Sequence, residues 1–261
     1  MKREFIGKTA YITRGCGKPV VLIHGVGMNA DFWTPQLECL SQHWRAIAID
    51  ILGHGESAPP PQHATFADYR EQTNNVLNSL QLWDATLVGH SLGGLVAIAA
   101  AHSRPQRVSC LVALNAVYRR SASAKKAVLA RAESVEQNNI VTLDEPLSRW
   151  FGEASPKQEA NVKKVSEFLM TINPRSYAAA YRVFADNDWR DNEQLSQLTM
   201  PTLFMSGEED KNSTPAMAAA MAKLSGGKNL TVWGAGHMMP LTAAGTVNKA
   251  LLDFMAEHEN I

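Results

Sequence analysis

The sequence has few cysteines, no excess of either charge and no long apolar run. Only three of its 261 residues are cysteine, an odd number that predicts no disulfide framework. Basic and acidic residues balance at 25 each, so neither a nucleic acid nor an anionic membrane is expected as a partner. The longest apolar run, residues 92–101, is too short to span a bilayer, and residues 1–5 give no sign of a secretory signal. These absences favour a soluble cytoplasmic protein, and they do not indicate how many subunits it has.

The chain contains apolar strands that alternate with helices. Short apolar runs predict strands at 11–13, 19–23, 45–49, 85–88, 108–114, 201–205 and 229–233. Helical spacing of apolar residues predicts helices at 31–44, 66–80, 95–101 and 246–257. The glycine-rich joint 14–18 predicts a hairpin between the first two strands. The alternation predicts an α/β fold, with a mostly parallel sheet flanked by helices.

A helical segment interrupts this alternation. Residues 118–188 carry no convincing strand, only the helical patterns 122–138, 143–151, 157–171 and 175–186. We therefore expect a core domain from 1–117 and 189–261, with an inserted helical cap at 118–188.

The segment around Ser91 predicts a sharp turn between a strand and a helix. It reads Gly-His-Ser-Leu-Gly from Gly89 to Gly93, after a buried strand and before an alanine-rich helix. In this pattern the serine hydroxyl is lifted to the tip of the bend, and glycines avoid the clashes that a Cβ would cause. The N-terminus of the following helix favours negative charge at the same point. The motif indicates a nucleophilic serine.

A serine hydroxyl needs a base and a carboxylate before it becomes a good nucleophile. His237 ends a glycine-rich loop after a predicted strand, and Asp210 follows the strand before it. Both loops are expected at the same sheet edge as Ser91, in the order serine, acid, histidine. Glu208 and Glu209 remain alternatives for the acid.

The turn at residues 22–27 is the candidate for binding an oxyanion. It ends an early strand in a glycine-rich segment that can direct a backbone N–H towards a substrate. We expect the N–H groups of Val26 and Leu92 to form this oxyanion hole.

Together these motifs resemble the α/β-hydrolase family, in particular its small esterase, enol-lactonase and carbon–carbon hydrolase members. The matching motifs extend over most of the chain: His24-Gly25, Asp50-x-x-Gly53-x-Gly55-x-Ser57, Gly89-His-Ser-x-Gly-Gly94, Gly207-x-x-Asp210 and Gly234-x-Gly236-His237. The resemblance implies that the insertion is the cap of this family.

The sequence predicts a serine hydrolase that cleaves an ester, lactone or thioester of a small substrate through an acyl-enzyme. Carbon–carbon hydrolysis of a vinylogous diketone would use the same three residues, as would a perhydrolase reaction with peroxide. A ligand receptor on the same scaffold, with incidental turnover, is an alternative of a different class.

The cap is expected to select the substrate, and its arginines would suit a substrate that carries a carboxylate. Arginine side chains bind carboxylates in a bidentate manner, and the cap contains or adjoins Arg119, Arg120, Arg175, Arg182 and Arg190. Met28, Met238 and Met239 lie next to the predicted site and are candidates for an apolar pocket. Arg119, Arg182, Met28 and Met238 are the substrate contacts we expect from these sets.

No cofactor or metal is predicted. His24, His54 and His90 are expected to be structural: His24 is expected to bond the backbone of its own turn, and Asp50 to hold the loop that carries His54. A metal site formed by His24, Asp50 and His54 is the alternative, although their spacing does not match a known ligand motif.

Overall fold

Eight strands form one mixed sheet in the computed structural model, which describes residues 1–152, 158–188 and 192–258. In chain order they are β1 (Glu4–Ile6), β2 (Thr9–Arg14), β3 (Pro19–Ile23), β4 (Arg45–Ile49), β5 (Ala85–His90), β6 (Val108–Leu114), β7 (Thr202–Gly207) and β8 (Lys228–Val232). The sheet order is β1-β2-β4-β3-β5-β6-β7-β8. Strands β3 to β8 run parallel, whereas β1 and β2 pair antiparallel. The predicted α/β class is confirmed.

The helices of the described ranges pack on this sheet and on one another. They are α1 (Thr34–Leu40), α2 (Phe66–Ser79), α3 (Leu92–Ser103), α4 (Ala122–Asn138), α5 (Asp144–Phe151), α6 (Glu159–Thr171), α7 (Pro174–Asp186), α8 (Asn192–Ser196), α9 (Pro215–Ser225), α10 (Met239–Thr242) and α11 (Ala244–His258). Helix α2 packs on α3, and α1 packs on α11. Every residue of β5 and β7 is buried, as expected for strands of a parallel sheet that is covered on both faces.

Five of the described helices, α4 to α8, lie between β6 and β7 in the chain, and α4 to α7 fall within residues 118–188. Helix α4 packs against α7, and α5 packs against α6. Residues 189–191 lie outside the described residues. They include the candidate Arg190 and adjoin the predicted domain boundary at 188–189. A separate cap domain over 118–188 stays a prediction.

The hairpin predicted at residues 14–18 is wrong. Strand β4 lies between β2 and β3 in the sheet, antiparallel to β2 and parallel to β3. The joint passes close to the start of β4, where a Cβ on Gly15 would lie 2.3 Å from the carbonyl oxygen of Trp44. This glycine is therefore required by a close backbone approach, and not by a two-strand turn.

The carboxyl ends of the parallel strands carry the loops with the candidate site residues. The turn 24–28 follows β3, Ser91 follows β5, the segment 208–210 follows β7 and the segment 233–237 follows β8. Loops at this edge of a parallel sheet form the usual site of open α/β folds. No helix within the described ranges has both the length and the apolarity needed to cross a membrane.

Candidate active site

Ser91 lies on the turn between β5 and α3 with a left-handed backbone, at φ 55° and ψ −118°. Its N–H donates to the Leu114 carbonyl on β6 at 2.9 Å. A Cβ on Gly89 would lie 2.1 Å from the carbonyl oxygen of Gly93, and a Cβ on Gly93 would lie 2.1 Å from that of Ile23. The two glycines therefore permit the tight packing of β3, β5 and α3 that holds the strained serine.

His237 is hydrogen-bonded to Asp210 in the described structure. The Nδ1–H of His237 donates to Oδ2 of Asp210 at 2.7 Å, and both residues are buried. The same oxygen accepts from Nδ2 of Asn115 at 2.7 Å. Oδ1 of Asp210 accepts from the N–H groups of Asn212 at 2.8 Å and Ser213 at 3.1 Å. Four donors thus fix the carboxylate and direct it at the imidazole.

These donors keep Asp210 ionised although it is buried. Burial by itself would raise the pKa of this carboxyl group. The positive charge available on His237, together with hydrogen bonds from His237, Asn115 and Asn212, outweighs burial and lowers the pKa below its ordinary value. The site therefore holds a carboxylate that can stabilise a cationic imidazole.

The two neighbouring acids have other contacts. Oε2 of Glu208 accepts from the N–H of Gly234 at 2.9 Å and so supports the loop that carries His237. Glu209 has an exposed side chain, and its backbone N–H donates to the Ala235 carbonyl at 2.9 Å. Of the three acids considered, Asp210 is the one that His237 contacts.

Two aromatic rings enclose the imidazole of His237. The ring centroid of His90 lies 4.9 Å from that of His237, and Nε2–H of His90 donates to the His237 carbonyl at 2.8 Å. Trp150 of α5 stacks on His237 at 6.4 Å with an angle of 22° between the rings. No sequence pattern indicates Trp150 as a site residue, since the residues of an isolated helix do not show which of its faces meets a cavity.

The backbone N–H groups of Val26 and Leu92 flank the serine turn. Val26 lines the cavity described below, and Leu92 begins α3 directly after Ser91. The hydrogen bonds of the described residues give neither amide a protein acceptor. Both groups therefore remain available to a bound oxygen atom.

A cavity of about 410 Å³ opens over these groups. Ser91, His237 and Val26 line it from the sheet loops, and Trp150 and Tyr181 line it from the inserted helices. This volume suits a small organic substrate.

Among the residues that the structure describes, the charged ones that line the cavity are all basic: Arg119, Arg120, Arg149 and Lys211. Arg120 donates to the carbonyls of Phe184 and Ala185, and Arg149 pairs with Glu145 in its own helix. Within the described ranges Arg119 and Lys211 form no ion pair. The cavity is thus electrostatically suited to an anion.

Several residues predicted near the substrate lie elsewhere. Arg182 pairs with Glu136 on the surface, where its Nε–H donates to Oε1 at 2.8 Å. Arg175 is exposed, and neither arginine is among the cavity-lining residues. Met28 is buried beside a smaller cleft of about 230 Å³, and Met239 is fully buried in the core. Of the three methionines considered, Met238 lines the main cavity.

The alternative of a metal site at His24, Asp50 and His54 is not supported. Both ring nitrogens of each histidine are hydrogen-bonded to backbone atoms. Asp50 accepts from Nε–H of Arg3 at 2.9 Å and from the N–H groups of Ala30 and Glu56. In the described residues no group of three or more His, Cys, Asp or Glu side chains could hold a metal ion.

Comparison with known proteins assigns the chain to a family. The family model for the alpha/beta hydrolase fold matches residues 18–244. An (E)-2-((N-methylformamido)methylene)succinate hydrolase from Acinetobacter baylyi is 36% identical over 242 residues, or 92% of this chain and 91% of that protein. A pimeloyl-[acyl-carrier protein] methyl ester esterase from Aliivibrio salmonicida is 35% identical over 76% of each chain.

A solved structure shows the same similarity in three dimensions. It is a thermophilic esterase from Thermogutta terrifontis with malate bound, 26% identical, with a TM-score of 0.87 over 99% of this chain and all of that one (100%). The family match, the curated relatives and the sheet topology agree, and the chain belongs to the α/β hydrolase fold family.

Proposed function

We propose that this protein is a serine hydrolase that cleaves an ester, lactone or thioester of a small substrate through an acyl-enzyme. The observation that carries the proposal is the 2.7 Å hydrogen bond between His237 and buried Asp210 at a cavity that Ser91 also lines. A nucleophile, a base and an orienting carboxylate at one cavity are the elements of nucleophilic acyl transfer. The relatives named as hydrolase and esterase support it.

In the proposed reaction, Oγ of Ser91 attacks the substrate carbonyl while Nε2 of His237 takes the hydroxyl proton. Asp210 accepts from Nδ1–H, which fixes the tautomer with Nε2 unprotonated and stabilises the imidazolium that forms. The N–H groups of Val26 and Leu92 bind the oxyanion, and each such donor is typically worth about 3 kcal/mol in the transition state.

The tetrahedral intermediate then expels the leaving group, which takes the proton from His237 and leaves an acyl group on Ser91. A water molecule enters, His237 removes one of its protons, and the resulting hydroxide attacks the ester. Collapse of the second intermediate returns the proton to Oγ of Ser91 and releases the acid.

The substrate we propose carries a carboxylate. Of the described residues that line the cavity, four are basic and none is acidic, so an anionic group gains favourable electrostatic energy on entering it. The succinate in the name of the Acinetobacter relative is consistent with this choice.

An amide of a dicarboxylate is the second candidate substrate. The Acinetobacter relative is named for a succinate that carries a formamido group, and it covers 92% of this chain. The same three residues serve amide hydrolysis, since His237 can protonate an amine leaving group as it protonates an alcohol. Rates with an ester and an enamide of the same dicarboxylate would rank the two candidates, and a vinylogous diketone would test carbon–carbon cleavage.

The first prediction concerns the nucleophile. Ser91→Ala should abolish turnover of 4-nitrophenyl acetate and labelling by a fluorophosphonate, because both need the serine oxygen. Ser109→Ala is a matched control, since this serine lies at the start of β6, donates to the Asp84 carbonyl and is not among the cavity-lining residues. Wild-type turnover in the Ser91→Ala protein would exclude the serine mechanism. Labelling of the wild-type protein without turnover of any substrate would favour a ligand receptor.

The second prediction concerns the charge of the substrate. The wild-type protein should prefer monomethyl succinate to dimethyl succinate, and Arg119→Met, Arg149→Met or Lys211→Met should reduce the preference. A lost charge-assisted hydrogen bond corresponds to about tenfold or more in KM. Arg182→Met, outside the cavity, is the control. An unchanged preference in all three cavity variants would refute an anionic substrate.

A further inference from the structure

Two buried histidines that the proposed chemistry does not use connect the loops behind the cavity. His24 begins the turn 24–28 after β3, and His54 belongs to the loop 50–57 after β4. His24 is fully buried and His54 is 1% exposed. Their ring centroids lie 5.4 Å apart. A buried imidazole needs a partner for each nitrogen, and those partners identify what each ring holds.

His24 joins its own turn to the other loop. Nε2 of His24 accepts from the N–H of Ile51 at 3.1 Å, so this nitrogen carries no proton. The proton is therefore on Nδ1, which lies 2.8 Å from the carbonyl oxygen of Gly25 and donates to it.

His54 makes the reciprocal connection. Nε2 of His54 accepts from the N–H of Gly27 at 3.0 Å, and Nδ1–H donates to the carbonyl of Leu52 at 3.0 Å. Each loop thus sends one imidazole to the backbone of the other loop. Burial keeps both rings neutral, because it lowers the pKa of His54 to about 4 and that of His24 well below its usual value. We call this pair the histidine clamp.

The clamp contacts the peptide between Gly25 and Val26 at its carbonyl oxygen. The carbonyl of Gly25 and the N–H of Val26 belong to one planar unit and point in opposite directions. Nδ1–H of His24 donates to the carbonyl at 2.8 Å, and the N–H of Met28 donates to it at 3.3 Å. A glycine allows the peptide that follows it to rotate at little steric cost. A rotated peptide would present a carbonyl to the cavity in place of an N–H.

We propose that His24 and His54 are positioning residues that hold the Val26 N–H in the orientation an oxyanion donor requires. His24 does so through the Gly25 carbonyl, and His54 does so by fixing the adjacent Gly27. The inference rests on the proposed function, since it assigns a role within the oxyanion hole of that reaction.

Substitution of each histidine by asparagine or by glutamine tests its two hydrogen bonds separately. The amide nitrogen of asparagine occupies the position of imidazole Nδ1, whereas the amide oxygen of glutamine reaches that of Nε2. His24→Asn therefore keeps the bond to Gly25 and loses the bond to Ile51, and His24→Gln does the reverse. At the other position, His54→Gln keeps the bond to Gly27 and His54→Asn loses it.

The expected pattern is crossed: asparagine should preserve activity at position 24 and glutamine should preserve it at position 54. With 4-nitrophenyl acetate, His24→Gln and His54→Asn should lower kcat by about tenfold to a hundredfold with little change in KM, because oxyanion donors act mainly in the transition state. His24→Asn and His54→Gln should stay within about threefold of wild type in kcat, since they keep the bonds that the proposal requires.

Unfolding midpoints in urea, measured beside the kinetics, show how far each variant is destabilised. A purely structural role predicts that kcat follows stability, and equal effects of Asn and Gln at both positions would overturn the clamp. If one variant does not fold, the pair at the other position still decides. Ser91→Ala separates the two proposals: wild-type turnover in that variant would remove both, whereas inactivity without the crossed pattern would remove only the clamp.

Discussion

Asp210 shares its two oxygens among four hydrogen-bond donors, and one of these donors is the imidazole of His237. The other three come from Asn115 and from the backbone of residues 212 and 213. A carboxylate that is held on all sides cannot turn away from the histidine. Its charge is thus fixed where an imidazolium would form.

Asp210→Asn tests this role at the residue scale. The amide lacks the charge and favours the wrong imidazole tautomer, so kcat should fall by about ten thousandfold, as in other triads. Steady-state kinetics with 4-nitrophenyl acetate measure the loss. Glu208→Gln is the matched control, since Glu208 contacts Gly234 and not the imidazole. A loss of less than tenfold in Asp210→Asn would move the carboxylate role elsewhere.

The sequence indicates which loops carry the candidate site residues, and side-chain directions determine which of those residues meet. Motif order is enough to select Ser91 and His237 as candidates, but it leaves three adjacent acids after β7. The structure brings Asp210 to His237 because the Gly207–Asp210 turn directs its side chain inward, while Glu208 reaches back to the loop of His237. Arg182 was expected in the cavity, yet it faces solvent on α7 and pairs with Glu136.

At the scale of elements, α3 packs so closely on β3 and β5 that two positions of the serine turn accept only glycine. A Cβ at either position would lie 2.1 Å from a backbone oxygen, which cannot move aside as a flexible side chain would. The helix therefore begins directly beneath Ser91. Close packing here supports both the fold and the position of the proposed nucleophile.

Gly93→Ala should therefore destabilise the protein by about 3 kcal/mol or more, in the range of strong overpacking. Gly245→Ala is the control: this glycine lies in the first turn of α11 with open space around its Cβ position. That change should leave stability unchanged or raise it by up to about 1 kcal/mol. Urea unfolding of both variants measures the contrast, and equal midpoints would show that the contact is relieved by backbone movement.

Elements with a strong apolar period could be predicted, and those fixed by tertiary contacts could not. The helix expected at 122–138 agrees with α4, and the strands at 19–23, 45–49 and 108–114 agree with β3, β4 and β6. Strand β1 was not predicted because its three residues are too few to show a strand period, although two of them are apolar. The order of β2, β4 and β3 depends on strand pairing across the sheet, which the glycine-rich joint alone does not encode.

Across the whole molecule, three buried neutral histidines couple stability to pH. Burial lowers the pKa of His54 to about 4 and that of His90 to about 3, and it lowers that of His24 as well. In the unfolded chain these groups titrate near 6.5. At pH values between the pKa of the folded protein and that of the unfolded chain, the unfolded state binds more protons. The stability of the folded protein therefore falls as the pH decreases.

Urea unfolding at intervals from pH 7.5 to pH 4.5 should show this loss beginning near pH 6.5. Each histidine contributes a slope of up to about 1.4 kcal/mol per pH unit. His54→Gln removes one of these groups, so its stability should depend less steeply on pH than that of the wild-type protein. Parallel curves for the two proteins would contradict the assignment of His54 as a buried neutral group.

The inserted helices α4 to α7 begin and end at two backbone positions that lie next to each other. The N–H of Arg119, before α4, donates to the carbonyl of Asp188, after α7, at 2.8 Å. The two ends of this helical segment are thus joined by a hydrogen bond outside the helices. A different segment could be inserted between these positions while the loops bearing Ser91 and His237 keep their places. In the proposed enzyme, selectivity could therefore diverge, by descent or by engineering, without rebuilding the reactive centre beneath it.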